Sequence, residues 1–284
     1  MFLWFLYLCT IVVSIAQEMH FSNSIGMEFV LIQPGNFRVG EFKPPYPIAD
    51  DTLTSSALKP NRIMWMGNDM ARPYNAAEFE NAKQMAIADG SDGFEVKIEN
   101  AFYIGKFEVT QDQWKKLMGS NPSTFSHDTL ANAGSHPVEN VSWQDVQRFL
   151  KALNQMEKTK RYRLPYEFEW EYAARGGKTN DITWAEINES AQLGGKTTRP
   201  VGQKMANAYG LYDMLGNVWE WVNDFYNEKI FADPIPPKTG KCHVLKGASF
   251  TGDVKNATYM THAAGPGNGW DVGFRVVAEI IEDR

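Results

Sequence analysis

The chain has 284 residues, 43% hydrophobic, 13% aromatic and 22% charged, with 23 Gly and 9 Trp. That balance sustains a buried core, excludes disordered, collagenous and coiled-coil chains, and favours a loop-rich fold in which large rings pack over tight turns. A formal charge of −6, without any Lys/Arg run interleaved with aromatics, argues against a phosphate backbone as partner, so no nucleic acid is expected.

Met1 to Ile15 carries no charged side chain, and Phe2 to Val13 is almost wholly apolar ahead of the small-x-small step Ser14-Ile15-Ala16. This predicts a secretory signal peptide over residues 1–16, with a retained anchor as the alternative; the apolar run is short of the roughly 20 residues a spanning helix needs. The mature chain, 17–284, is then expected to be periplasmic or secreted, with no membrane span after cleavage. Of the two cysteines, Cys9 lies in the leader and Cys242 stands alone. A single thiol forms no internal disulfide and no two-thiol redox or metal pair.

In chain order, Phe29–Ile32, a Pro34-Gly35 turn and Phe37–Gly40 predict a β-hairpin. From about 41 to 93 the pattern breaks into a proline-rich stretch, Lys43-Pro44-Pro45-Tyr46-Pro47, and an alanine-containing helix over 75–88, which reads as an insertion within one domain. Phe94–Ile98 and Phe102–Val109 alternate as strands. Thr110 with Gln113 forms a capping box for a helix stopped by Gly119, and Ser142 with Asp145 opens a second that runs to about Lys158. Arg163-Leu164-Pro165 opens a third, ended by Gly176-Gly177. The remainder is strand and loop, including Val218–Val222 and a strand beginning at Lys241. Few helices, short strands and no βαβ alternation make the fold class α+β rather than doubly wound.

Among candidate sites, Asp213 and Glu220 bracket a Gly216-Asn217 turn, and carboxylates beside exposed carbonyls suit a hard cation such as calcium. The alternative is that both cap the turn or sit in water. Glu167, Glu169 and Glu171 fan over different helix faces, so they are not a paired acid and base. Instead Glu169 or Glu171 should answer Arg163 or Arg175, leaving the others solvated. The five histidines show no ligand spacing, Ser249 lacks a hydrolase elbow, and Cys242 reads as a strand thiol.

Several strings, in order, resemble the formylglycine-generating enzyme (sulfatase-modifying factor) family: Asn23 to Ile32, Lys106 to Thr110, Pro137 to Trp143, Arg163-Leu164-Pro165 with Glu169 to Gly177, Asn207 to Trp221, and Gly273 to Val276. The resemblance implies a single domain related to the C-type lectin fold, low in regular secondary structure. It also implies a structural calcium held by the side chains of Asp213 and Glu220 and the carbonyls of Gly216 and Val218.

The two copper-binding cysteines of the authentic enzyme fall on Gly252 and Ala257, neither of which offers a thiolate. Copper(I) prefers soft sulfur ligands, so the chain is not expected to bind copper or to make formylglycine. Relatives without those cysteines include an oxidase of pyoverdine maturation in the periplasm and non-catalytic binding proteins. Two functions are therefore expected as alternatives. One is an oxidoreductase that matures a secreted peptide or siderophore, with Ser249, Trp219, Asp253 and His262 as candidate catalytic residues. The other is a calcium-stabilised module that binds a peptide, siderophore-like ligand or glycan without turnover.

Overall fold

A computed structural model describes residues 18–39, 93–179, 182, 184–231, 234–252, 257–265 and 267–281. The leader 1–16, the insertion from 41 to 92 with its helix over 75–88, and Asp253 lie outside the described residues.

The chain opens with three short strands, β1 (His20–Ser22), β2 (Glu28–Ile32) and β3 (Gly35–Val39), and continues through β4 (Phe94–Ile98) and β5 (Phe102–Gly105). Helices α1 (Gln111–Met118) and α2 (Trp143–Met156) follow, then β6 (Arg161–Arg163), α3 (Glu167–Arg175) and α4 (Trp184–Ser190). The last elements are β7 (Trp219–Phe225), β8 (His243–Lys246), β9 (His262–Ala264), β10 (Val272–Phe274) and β11 (Val277–Glu279). They form a five-stranded sheet ordered β1-β2-β5-β11-β6, a four-stranded sheet ordered β10-β7-β8-β9, and a β3–β4 ribbon. β10 runs parallel to β7, and the other pairings are antiparallel.

The run Phe29-Val30-Leu31-Ile32 has no polar alternation because β2 is covered on both faces. Phe29 and Leu31 enter a core with Trp114, Phe149 and Phe274, whereas Val30 and Ile32 enter a second with Ile104 and Trp170. Trp114 stacks on Phe149 at 5.2 Å and meets Phe274 edge-on, so α1, α2 and β10 share one aromatic joint. Among the described residues no helix is long and apolar enough to cross a membrane.

Both capping boxes form, Thr110 with Gln113 and Ser142 with Asp145, and Gly119 closes α1 in the left-handed region at φ 76. The expected hairpin does not. β2 pairs with β1 and β5, and β3 pairs with β4. With both edges of β2 taken, the Gln33-Pro34 step carries the chain to another sheet, where Pro34 need not donate to a ladder. The third helix begins at Glu167 rather than at Pro165, because Arg163 is drawn into β6 opposite Val277. Its first turn is capped from outside: Asp224 Oδ2 accepts from Glu167 N at 2.6 Å, and Glu169 accepts from Tyr166 N at 2.9 Å. Helix α4 and strand β1 carry no pattern long enough to announce them.

Candidate functional site

Three groupings of polar side chains hold the residues singled out in the sequence. The first is centred on Ser249. Beyond β8, Gly247 and the non-glycine Ala248 take left-handed angles, φ 92 and 64, and this sharp turn delivers Ser249 to a buried position. Its Oγ donates to Asp271 Oδ2 at 2.7 Å and lies 2.9 Å from Thr251 Oγ1. Asp271 immediately precedes β10, and its carbonyl accepts from Trp219 N at 2.8 Å. Trp219 and Ser249 therefore meet through Asp271.

Above this floor stand Phe250, Trp270 and Phe125, with ring centroids 5.3 to 6.1 Å apart and Trp270 48% exposed. Glu139 anchors the loop bearing Phe125 by accepting from its amide at 2.8 Å. The second oxygen of Glu139 is buried without a partner, and burial, helped by the charge of Asp271, pushes this carboxyl up to about 7. A hydroxyl, a carboxylate and an aromatic rim can accept hydrogen bonds from a ligand and stack on its flat or apolar parts. Sequence reasoning missed Asp271, Thr251, Phe125 and Glu139. The available signal was the Trp270-Asp271 step before the Val272 to Val276 string.

His262 lies elsewhere. It starts β9 opposite Lys246, with Nδ1 3.1 Å from Glu167 Oε1 and Tyr226 and Phe231 around its ring. Lys246 is fully buried, 3.5 Å from Glu171 and 3.7 Å from Glu167, and Arg175 binds Glu171 at 2.7 Å. Both expected arginine pairs form, since Arg163 also binds Glu169 at 2.6 Å. Glu167, expected in solvent, is buried. Lys246, distant in sequence, supplies the charge that makes this tolerable.

The third grouping surrounds the Asp213–Glu220 turn. Asp213, Gly216 and Asn217 adopt φ of 53, 84 and 56, and a Cβ on Gly216 would stand 2.2 Å from Gln192 O. Glu108 holds the turn from below, accepting from Asn217 Nδ2 at 2.6 Å and Val218 N at 3.1 Å. Glu220, expected as a side-chain ligand, is occupied by Arg275 through two bonds of 2.6 and 2.7 Å and by Trp170 Nε1 at 2.6 Å. Asp213 Oδ2 accepts from Gly202 N, but its Oδ1 is buried with no partner, and the residue borders a cavity of about 20 Å³. Asp213 Oδ1 is thus the oxygen left open to a hard cation, whereas both oxygens of Glu220 are taken; among the described residues no group of three or more His, Cys, Asp or Glu side chains is placed to hold a metal ion. Burial raises Asp213 to about 6 and Glu108 well above its ordinary range, with their carboxylate neighbours adding to both.

Residues 20–280 match the sulfatase-modifying factor enzyme 1-like domain. The chain belongs to this family. Among curated relatives of this formylglycine-generating-enzyme-like protein, chaperone protein LppX of Paenibacillus barcinonensis is 31% identical over 234 residues, covering 62% of this chain and 79% of the relative. The formylglycine-generating enzyme of Streptomyces coelicolor is 33% identical over 141 residues, covering 41% of this chain and 42% of that enzyme. The chain therefore spans less than half the length of that relative. The structure of PvdO from Pseudomonas aeruginosa superposes with a TM-score of 0.66 at 21% identity, covering 93% of this chain and all of PvdO. Treponema denticola variable protein 1 gives 0.64 at 24% identity over 92% of this chain and 99% of that one. Identities this low establish the shared fold. In this chain the positions that the resemblance assigns to the catalytic pair are Gly252 and Ala257. Gly252 packs so that a Cβ there would meet Ser249 O at 2.9 Å, and Ala257 is enclosed in the core beside Tyr259.

Proposed function

We propose that this protein is an exported binding module on the formylglycine-generating-enzyme fold, which holds a segment of a secreted polypeptide or glycan on Phe125 and Trp270, backed by the buried Phe250 ring. Thr251 and Asp271 orient the ligand from below, with Asp271 held by the buried Ser249 hydroxyl. The observation that carries this reading is the part-exposed pair of rings, Phe125 and Trp270, above the Ser249–Asp271 contact; the reading takes Gly252 and Ala257 to stand where the family's enzymes hold their thiols. The chaperone name of one relative favours a polypeptide over a glycan. The leader is read as exporting the chain to the periplasm or beyond. A calcium ion on Asp213 and the carbonyls of Gly216 and Val218 is proposed as a structural brace for the turn and takes no part in ligand chemistry. Trp270→Ala should weaken retention of the protein's secreted client at least tenfold in a pull-down, while Met205→Ala, an exposed side chain elsewhere, should leave it unchanged. Equal retention by both variants would sink the proposal.

A second reading, oxidative maturation of a secreted peptide or siderophore without copper, is favoured by the 2.7 Å contact of Ser249 with Asp271 and by Glu139, whose acidity near neutral suits proton transfer. Trp219 positions Asp271 in that reading, while Asp253 and His262 remain candidates for variant analysis. It requires a client that loses two hydrogens to dioxygen, which leaves as hydrogen peroxide, a mass change visible in the intact client. A client released with unaltered mass leaves the binding reading standing.

A further inference from the structure

A groove of about 810 Å³, separate from the Ser249 patch, opens between the β4–β5 turn, the start of α3 and the Pro236-Pro237 segment. Pockets that enclose small organic ligands span some 300–1,000 Å³, so the groove has room for several side chains. Its lining mixes rings with charge, and the charges are unevenly satisfied. Arg163 is consumed within the protein, bound twice by Glu169 and once by Glu279, with its guanidinium 4.8 Å from the Tyr166 ring. Lys97 is 3.6 Å from Glu99, and Lys238 also lines the groove, so its three cations face four carboxylates, those of Glu99, Glu169, Asp224 and Glu279. Asp224 has no cation against it among the described residues: one oxygen accepts from Glu167 N, and the negative charges nearby are those of Glu167 and Glu169. Burial, followed by those two carboxylates, pushes Asp224 up to about 6. Tyr166, 45% exposed, and Phe168 line the same groove.

We propose that this groove binds a basic peptide segment, with a lysine ammonium or arginine guanidinium seated on Asp224 and its stem against Tyr166, Phe168 and the two prolines. A carboxylate in negative surroundings favours a cation, and aromatic faces hold ammonium and guanidinium groups better than they hold neutral amides. Proline walls add apolar surface without ordering cost, which suits an extended peptide.

Titrating the full chain with an end-capped tetralysine peptide tests this by calorimetry, with the same peptide fully Nε-acetylated and free spermidine as parallel arms. Tetralysine should bind saturably, the acetylated peptide should not, and spermidine should bind at least tenfold more weakly. Asp224→Asn keeps an acceptor for Glu167 N, so α3 stays capped, and removal of the charge should weaken tetralysine binding by roughly tenfold or more. Tyr166→Ala, a change at an exposed ring, should weaken it several-fold; should Asp224→Asn fail to fold, this variant decides the question. Unchanged affinity in the folded variants, or equal binding of the acetylated peptide, would overturn the site. Equal binding of spermidine would overturn its assignment to a peptide.

Discussion

Trp170 touches two buried clusters of ionisable side chains, donating from Nε1 to Glu220 and lying under the ammonium of Lys246. On the Lys246 side, Glu167 and Glu171 meet Lys246 and Arg175, so two negative groups face two positive ones. There burial pushes Glu167 up, but His262 and Lys246 outweigh it and hold the carboxyl below its ordinary range. On the Glu220 side, Glu108, Asp213 and Glu220 face Arg275 alone among the described residues. The same depth of burial therefore gives opposite results. The matched cluster holds Glu167 in its charged form, whereas the shortage of positive charge favours proton uptake at Glu108 and Asp213.

The largest effect should come from Arg275→Met. Among the described residues it removes the only positive side chain facing three buried carboxylates and should cost on the order of 4 kcal/mol or more. A melting temperature within a few degrees of the parent would show that another species already neutralises them. Lys246→Met should cost about 3 kcal/mol, because Glu167 loses its main cation while Arg175 still serves Glu171. Chemical denaturation of both variants side by side ranks the two clusters, and a larger loss for Lys246→Met would reverse the comparison.

Calcium comes next. At a hundredfold excess over its dissociation constant, an ion on Asp213 stabilises by about 2.7 kcal/mol, and Asp213→Asn should abolish the response. An identical unfolding midpoint with calcium and with chelator leaves protons as the answer to the deficit. Glu139 offers the smallest case, a buried carboxyl near Asp271 with no cation against it among the described residues. The unfolded chain releases its proton near 4.5, but the folded chain keeps it to about 7. This group's contribution is therefore whole below pH 4.5 and is lost as pH rises through 7. Glu139→Gln should flatten that slope and gain on the order of 2 kcal/mol at pH 8 relative to the parent. Parallel pH–stability curves would assign the titration to other groups.

The features legible in the sequence are those whose causes are local. The Thr110 and Ser142 capping boxes, the glycine that stops α1 and the Arg–Glu pairs of α3 each lie within a few residues of their partners, and they appear as read. The β2–β3 hairpin failed because pairing is decided by which edges remain free, and a Pro-Gly step carries no record of that. Asp271 escaped notice for the same reason: its partner Ser249 is 22 residues away, and the Trp270-Asp271 step, though a signal, does not say what Asp271 meets. Glu220 shows the converse. Its spacing from Asp213 was a fair cation signal, but Arg275, 55 residues downstream, takes its oxygens. Charge spacing along a chain cannot show which residue of opposite sign the fold will bring back.

The packing around Gly252 constrains any attempt to re-engineer the ancestral redox chemistry. A side chain introduced there would press against the carbonyl of Ser249, and one enlarged at Ala257 would need room inside a closed interior. Swapping in the missing thiols by two point changes would thus disturb Ser249 and its bond to Asp271 before any copper could arrive. A working copper seat would require both positions to be redesigned together with the packing around them.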